Sequence, residues 1–80
     1  MPAVATIGPY RFHFFSNERG EPPHIHVREG RKHLKVWLDA VEVASCAGFA
    51  SHEQNRIVKL VIRHREEFLE AWNDYFGDRH

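Results

Sequence analysis

The sequence predicts an α+β domain: a three- to four-stranded antiparallel sheet with one long C-terminal helix packed on one face. Short segments in the first half alternate between apolar and polar residues, a period that is typical of strands with one buried face. The last third repeats apolar residues every three to four positions, which is typical of an amphipathic helix. Eighty residues suit a single domain, 1–80, and a chain this short buries only about 60% of its unfolded surface. Help from a partner chain would therefore stabilise it.

Four segments in the first half have strand composition, and turn-forming residues separate them. They are 10–16, 24–28, 31–38 and a shorter one at 41–44. The stretch between the first two contains Asn, Gly and paired prolines, which are typical of a loop. A two-residue turn at Glu29-Gly30 would join the second and third strands as a hairpin and pair His26 with His33.

A single helix is predicted from about His52 to Phe76. Ser51 is a suitable N-cap, and Gly77 follows the last apolar residue, where a left-handed residue is favoured. Arg65 lies between the two apolar lines of this helix, so either the apolar surface is interrupted there or the helix bends.

The predicted helix is longer than the predicted strands, so its end is expected to contact something other than the sheet. A helix of 25 residues is about 37 Å long, whereas a seven-residue strand spans only about 23 Å. The end that carries Phe68, Trp72 and Phe76 is thus expected to overhang the sheet and to contact another surface, which favours a dimer or a partner protein.

Strand alternation sorts the sheet into two faces. One is apolar and is expected to pack on the helix. The other gathers imidazoles, cations and aromatic rings: Arg11, His13, Phe15, His24, His26, Arg28, His33, Lys35 and Trp37. Directly opposed side chains have Cβ atoms about 5 Å apart, so His26 and His33 are expected to be close neighbours.

These residue types allow three uses of the polar face. His24 and His26 can act as acid and base in metal-independent RNA cleavage, with Arg28 or Lys35 stabilising the charged phosphorane. His-x-His on a strand is also a spacing that metal ligands use, but no cysteine or acid is well placed to complete a zinc site. We therefore predict no metal and no cofactor. The third use is a polar surface that binds a partner or has no chemical role.

Composition argues against a strongly basic nucleic-acid binder, a disulfide-containing protein and a membrane protein. The formal net charge is zero, with six Lys/Arg against three acids in 1–38 and five against eight in 39–80. This imbalance permits RNA as a partner but is smaller than in a typical nucleic-acid binder. The single cysteine, Cys46, allows no internal disulfide. No apolar run approaches the ~20 residues that cross a bilayer, and no signal peptide is recognisable, so we expect a cytoplasmic protein without a membrane partner.

Several motifs together resemble a family of small bacterial proteins, domain of unknown function 4160. The motifs are "FFSNERGEPPHIHV", "KVWLD", "GF" and "EEFLEAWNDYFG"; the matching residues are Asn17, Pro22, Pro23, His24, His26, Trp37, Leu38, Trp72 and Phe76. The family's function is not established. Its members are often encoded beside another small protein, in an arrangement resembling toxin–antitoxin pairs, so the resemblance implies a small protein partner.

The function expected from these observations is that of one component of a toxin–antitoxin-like pair, acting through protein–protein binding. A small ribonuclease and a metal-binding module are the alternatives, and a homodimer is compatible with the expected helix overhang. The candidate catalytic residues are His24, His26, Arg28 and Lys35, and the candidate binding residues are Asn17, His33, Trp37, Phe68, Trp72 and Phe76.

Overall fold

The computed structural model describes residues 3–15 and 20–77, and in this part of the chain it confirms the α+β fold. The strands come first and the helices last: β1 (Ala3–Ile7), β2 (Tyr10–His13), β3 (His24–Glu29), β4 (Lys32–Trp37), β5 (Glu42–Ala47), α1 (Ser51–Arg63) and α2 (Arg65–Phe76). The five strands described form one antiparallel sheet in the order β1-β2-β3-β4-β5. Asn17 lies outside the described residues.

The prediction of three to four strands was too low because β1 was missed. Its sequence, AVATI, contains small residues and lacks the clear alternation of the other strands. It pairs with β2 through the turn at Gly8-Pro9, where Gly8 has a φ of 58°, a left-handed value that glycine adopts readily. The predicted fourth strand corresponds to β5, which begins one residue later and extends to Ala47.

The core lies between the helices and one face of the sheet. As predicted, the apolar positions of the strands are buried, together with residues of the connector and the helices. They are Tyr10, Phe12, Phe14, Ile25, Val27, Leu34, Val36, Leu38, Phe49, Ile57, Val61, Phe68 and Trp72. Neither α1 nor α2 has the length and apolar character needed to cross a lipid bilayer.

The β3–β4 hairpin turns one residue later than predicted. Its turn is Gly30-Arg31, and Glu29 pairs with Lys32. Gly30 has a φ of 62°, which suits the first central position of a two-residue hairpin turn. Pairing therefore shifts by two residues, so that His26 faces Lys35 instead of His33. A shift of two keeps every side chain on its predicted face, since the side-chain period of a strand is two.

The prediction of one long helix was wrong, because the helical region is divided at His64. This residue has φ −107° and ψ 16°, outside the helical range. At the junction, Nε of Arg65 donates a hydrogen bond to the Leu38 carbonyl at 2.5 Å, and a terminal nitrogen donates to the Asp39 carbonyl at 3.2 Å. The interruption marked by Arg65 is therefore a point where α2 is attached to the end of β4.

The helix end does not overhang the sheet as the length argument expected. Phe68 is 1% exposed and stacks on Phe12, with ring centroids 5.1 Å apart. Trp72 is 6% exposed and meets the Phe14 ring edge-on at 5.2 Å. The argument assumed a straight helix, and it ignored Phe14, which lies beyond β2 and extends the core beneath α2. Phe68 and Trp72 thus pack inside their own chain.

Candidate functional site

The polar face of the sheet, which we call the histidine face, consists of Arg11, His13, His24, His26, Arg28, His33, Lys35 and Trp37. Cross-strand pairing arranges these residues in rows. One row runs Thr6, Arg11, Arg28, His33; the next contains His13, His26 and Lys35; the third pairs His24 with Trp37. Side chains within a row lie beside one another on the same face. The topology therefore brings four histidines and three cations onto three central strands.

His26 is the centre of the imidazole cluster. Its Nδ1 lies 2.9 Å from Nε2 of His33, a hydrogen bond between the two rings. Its ring stacks on that of His13 at 5.6 Å and meets the His24 ring edge-on at 5.0 Å. The predicted proximity of His26 and His33 is confirmed, although the two are diagonal neighbours. One of the two bonded nitrogens must carry a hydrogen and the other must accept it, because a fully protonated imidazole has only donors.

His24 is held by the paired prolines that precede β3. Its Nδ1 donates a hydrogen bond to the Pro22 carbonyl at 2.9 Å, and this bond fixes the ring orientation. The carbonyl of Pro23 accepts the backbone N–H of Leu38 at 3.0 Å. The His24 ring packs against Trp72, with centroids 4.9 Å apart, and against Trp37 at 5.5 Å. The Pro-Pro-His segment thus connects the start of β3 to the end of β4 and to α2.

The three histidines nearest the middle of the face are buried. His13 is 5% exposed, His24 0% and His26 4%. Aromatic rings help to cover them: Phe15 lies 4.4 Å from the His26 ring and 5.1 Å from the His13 ring, between centroids. Alternation placed these residues on the polar face correctly, but it carried no information about their depth. His33 and Trp37 are half-buried at the margin of the cluster.

The two candidate catalytic cations differ in their surroundings: Lys35 forms an ion pair, and Arg28 is exposed. Nζ of Lys35 forms an ion pair with Glu21 at 2.7 Å and lies 4.7 Å from the centre of the Trp37 ring. Arg28 donates from Nε to the Gly30 carbonyl at 3.3 Å. Its direct cross-strand partner is Arg11, a residue that sequence reasoning placed on this face without assigning it a role. The signal that finds it is the register of β2 against β3.

The candidate binding residues do not form one surface. His33 and Trp37 belong to the histidine face, whereas Phe68 and Trp72 belong to the core. Phe76 is half-buried, with its ring 4.1 Å from that of Trp72. Within residues 3–15 and 20–77, no group of three His, Cys, Asp or Glu side chains is arranged to hold a metal ion.

A separate charged pair joins the sheet to the helices. Nζ of Lys32 lies 3.0 Å and 3.2 Å from the two carboxylate oxygens of Glu53, in the first turn of α1. The hydrogen bond from Lys32 is the main cause that lowers the pKa of Glu53, and the same bond raises the pKa of Lys32. Glu53 also accepts the backbone N–H of Ala50 at 3.4 Å. Ala50, and not Ser51, is therefore the residue that precedes the first helical turn.

Comparison with known proteins gives a family but no described relative. No curated protein and no solved structure shows a significant match to this chain. One family model, Domain of unknown function (DUF4160), matches residues 10–73, a range that runs from the start of β2 into α2. It includes the Pro-Pro-His-x-His segment, all of the histidine face and the connection to the helices. This chain belongs to the DUF4160 family.

Proposed function

We propose that this protein is the partner-binding component of a two-protein pair of the toxin–antitoxin type, and that its partner is a small protein that pairs with β5. The exposure of β5 carries this proposal. All six of its residues, Glu42–Ala47, are exposed, and in the described sheet β4 is its only neighbour. An exposed edge strand presents backbone N–H and C=O groups that can pair with a strand of another chain.

The sequence of β5 favours such pairing. Many edge strands are blocked by lysine, proline or a bulge. β5 contains neither lysine nor proline, and Glu42 is its one charged residue. It does carry an extra residue, Ala44, in its pairing with β4. Val43, next to this bulge, is 38% exposed although it lies opposite the buried Val36. This chain thus leaves the apolar side of β5 partly uncovered, as expected if a partner completes it.

Burial of His24 and His26 favours binding over cleavage. A general acid or base must reach hydrogen-bond distance of the group it protonates or deprotonates. His24 has no exposed surface and uses Nδ1 on Pro22, whereas His26 uses Nδ1 on His33. Cleavage by these rings would require the cluster to open. The ribonuclease and metal-binding alternatives stay predictions.

Interference with β5 is the direct test. The wild-type chain is co-expressed with the product of its neighbouring gene, and the complex is purified and measured by light scattering. Val43→Lys places a lysine on the partly uncovered apolar side of β5 and is expected to weaken the complex at least about tenfold, since lysine on an edge strand opposes pairing and its charge would have to be buried against the partner. Ile62→Lys is the matched control, because Ile62 is 58% exposed on α1. Tyr75→Lys, at a residue that is 43% exposed on α2, tests the helix end.

The outcomes separate the possibilities. Loss of the complex in Val43→Lys alone supports the proposal, and loss in Tyr75→Lys alone would move the binding surface to α2. A wild-type dimer that Val43→Lys dissociates would assign β5 to a second copy of this chain and contradict the small-protein partner. If wild-type expression degrades cellular RNA and the exposed-site variant Arg28→Ala does not, the ribonuclease alternative replaces this proposal.

A further inference from the structure

We propose that Arg11 and Arg28 form a binding site for a phosphate group on the histidine face. The site lies on β2 and β3, in the middle of the sheet, whereas the proposed partner surface is the β5 edge. The inference therefore does not rest on the proposed function. It rests on the pairing of the two arginines, on the cavities that they line and on the hydrogen-bond donors beside them.

The two arginines are directly opposed across β2 and β3, and both are exposed. Opposed residues of an antiparallel pair have Cβ atoms about 5 Å apart, and like charges at this distance destabilise the sheet. Within residues 3–15 and 20–77, no carboxylate forms an ion pair with either guanidinium. A bound anion would offset this repulsion, whereas the free protein has no described group that does so.

Two surface cavities share this arginine pair. The first has a volume of about 440 Å³ and lies at the hairpin end of the sheet, where Pro9, Glu29 and Gly30 complete its lining. The second, of about 350 Å³, extends along β1 and β2 and is lined by Ala3, Ala5, Thr6, Phe12 and His13 in addition to the arginines. Each volume falls within the range of small-ligand sites. Together they provide room for a phosphate and for the group attached to it.

The donors around the cavities match a phosphate. Nε of Arg28 donates to the Gly30 carbonyl, which fixes the guanidinium and leaves its terminal nitrogens available to a ligand. A planar guanidinium binds phosphate oxygens through two parallel hydrogen bonds. Thr6 lies opposite Arg11 in the same row and lines the second cavity, so a hydroxyl flanks the pair.

One carboxylate, that of Glu29, lines the first cavity. Its repulsion of a bound anion is reduced by a neighbouring lysine. Glu29 has its Oε1 atom 3.3 Å from Nζ of Lys32, so its charge is paired with a cation. Phosphate is favoured over a carboxylate ligand because its three or four oxygens let each guanidinium form two parallel hydrogen bonds to largely separate oxygens, whereas a single carboxylate has only two oxygens for both. An acidic peptide is therefore included in the test as a competing ligand.

The test compares two double variants of the full chain that lose the same charge. Arg11→Gln/Arg28→Gln removes the proposed site, and Arg56→Gln/Arg63→Gln removes two exposed arginines of α1. Binding is measured by NMR titration and calorimetry with inorganic phosphate, adenosine 5′-monophosphate, a short single-stranded RNA and polyglutamate. Urea unfolding of each variant verifies that it folds. The Arg11/Arg28 variant is expected to unfold at the same or a higher urea concentration than the wild type, because the substitution relieves like-charge repulsion.

The wild type is expected to bind the phosphate probes, and Arg11→Gln/Arg28→Gln is expected to bind them at least about tenfold more weakly, since two charge-assisted contacts are lost. For the RNA, the dependence of log K on log salt should also become shallower by about 0.7, the value for one lost phosphate contact. The α1 variant should retain wild-type binding. Tighter binding of RNA than of the two small probes would identify an RNA backbone as the source of the phosphate, and equal binding would identify a small phosphorylated ligand.

Three results would overturn the inference: no binding of any phosphate probe by the wild type, equal loss in both double variants, or polyglutamate binding as tight as that of RNA. The complex with the β5 partner provides a separate readout, because Arg11→Gln/Arg28→Gln should leave it intact. Failure of the phosphate site and failure of the partner proposal are thus distinguishable.

Discussion

At the scale of single residues, His24 combines a polar ring with a fully buried position. Its side chain has no exposed surface, its Nδ1 is bonded to Pro22, and its ring lies between Trp37 and Trp72. A buried side chain with these contacts stabilises the fold through packing and through its hydrogen bond. The histidine of the motif therefore has a structural role whether or not the protein has a chemical one.

This role predicts a large stability effect. His24→Ala is expected to lower the free energy of unfolding by about 2–4 kcal/mol, because it leaves a cavity beside the two tryptophan rings and removes the hydrogen bond to the Pro22 carbonyl. His52→Ala, at an exposed position in the first turn of α1, is the control and should change it by less than about 0.5 kcal/mol. Urea unfolding followed by tryptophan fluorescence measures both. Equal unfolding midpoints would show that the His24 ring contributes little to the fold.

Residue-scale reasoning from sequence predicted the face of each histidine but not its depth. The face follows from the alternation of Cβ directions, which the strand backbone dictates. Depth depends on rings contributed from outside β3, namely Phe15, Trp37 and Trp72, and Trp72 lies 48 positions beyond His24 in the chain. No local pattern indicates that such distant residues meet. For the same reason, the exposed pair Arg11 and Arg28 emerges only when the register of β2 against β3 is known.

At the scale of elements, the junction between α1 and α2 determines where the C-terminal aromatic residues lie. The helical hydrogen bond from the His64 N–H to the Leu60 carbonyl is kept at 3.0 Å, as is that from the Phe68 N–H to the His64 carbonyl. The division of the helical region at His64 therefore keeps both of these bonds. Arg65 attaches the junction to the carbonyls at the end of β4, and the next turns of α2 bury Phe68 and Trp72.

Removal of this attachment should destabilise the chain. Arg65→Met keeps the aliphatic part of the side chain but removes both hydrogen bonds to the Leu38 and Asp39 carbonyls. The expected loss is about 1–2 kcal/mol in the free energy of unfolding. Arg63→Met is the matched control, since Arg63 is exposed at the end of α1, and it should have little effect. If both variants unfold at the same urea concentration, the hydrogen bonds from Arg65 to the end of β4 do not stabilise the fold.

The missed elements have a common cause. Hydrophobic alternation identified β2, β3 and β4 because their two faces differ strongly in polarity. β1 has no such contrast, and its pairing depends on the Gly8-Pro9 turn. The helical region appeared continuous because the apolar periodicity continues past His64, whereas the Arg65 contacts at the division involve carbonyls at the distant end of β4. Local patterns thus predicted the strands whose two faces differ strongly in polarity. The pairing of β1 and the division of the helical region depend on tertiary contacts.

At the scale of the whole molecule, Lys32 and Glu53 connect the two layers of the fold. Lys32 begins β4 and Glu53 lies in the first turn of α1. Lys32 also lies 3.3 Å from Glu29 and 5.2 Å from the centre of the Phe49 ring. Its side chain passes close to Gly48, where an added Cβ would lie 3.0 Å from Cγ of Lys32 and where φ is +92°. The hairpin, the connector and α1 therefore meet at one lysine.

This pair gives the fold a defined pH dependence. The pKa of Glu53 is lowered from 4.5, chiefly by the hydrogen bond from Lys32, so its contribution to stability is present above pH 4.5. That contribution is lost as the pH falls through the lower pKa of the folded state. The pKa of Lys32 is raised from 10.5, so the lysine contribution persists up to that pH and is lost only as the pH rises through its higher folded value.

Glu53→Gln is therefore expected to unfold at a lower urea concentration than the wild type at pH 7, and the difference should shrink as the pH falls below 4.5. Glu70→Gln, which removes an equivalent charge from an exposed position on α2, controls for net charge. Urea unfolding from pH 3 to pH 9 measures the effect. A difference that is constant over this range would assign the stabilisation to something other than the ionised pair.

The order of the elements along the chain has a consequence for synthesis on the ribosome. All the strands described above precede both helices, so the sheet leaves the exit tunnel before either helix is available to cover its apolar side. At a translation rate of roughly 5–20 residues per second, the helices follow over a few seconds. During that interval the nascent chain exposes the rings of Phe12 and Phe14 together with the aliphatic residues of β3 and β4. Chaperones that bind apolar segments are therefore expected to act on this protein before its release.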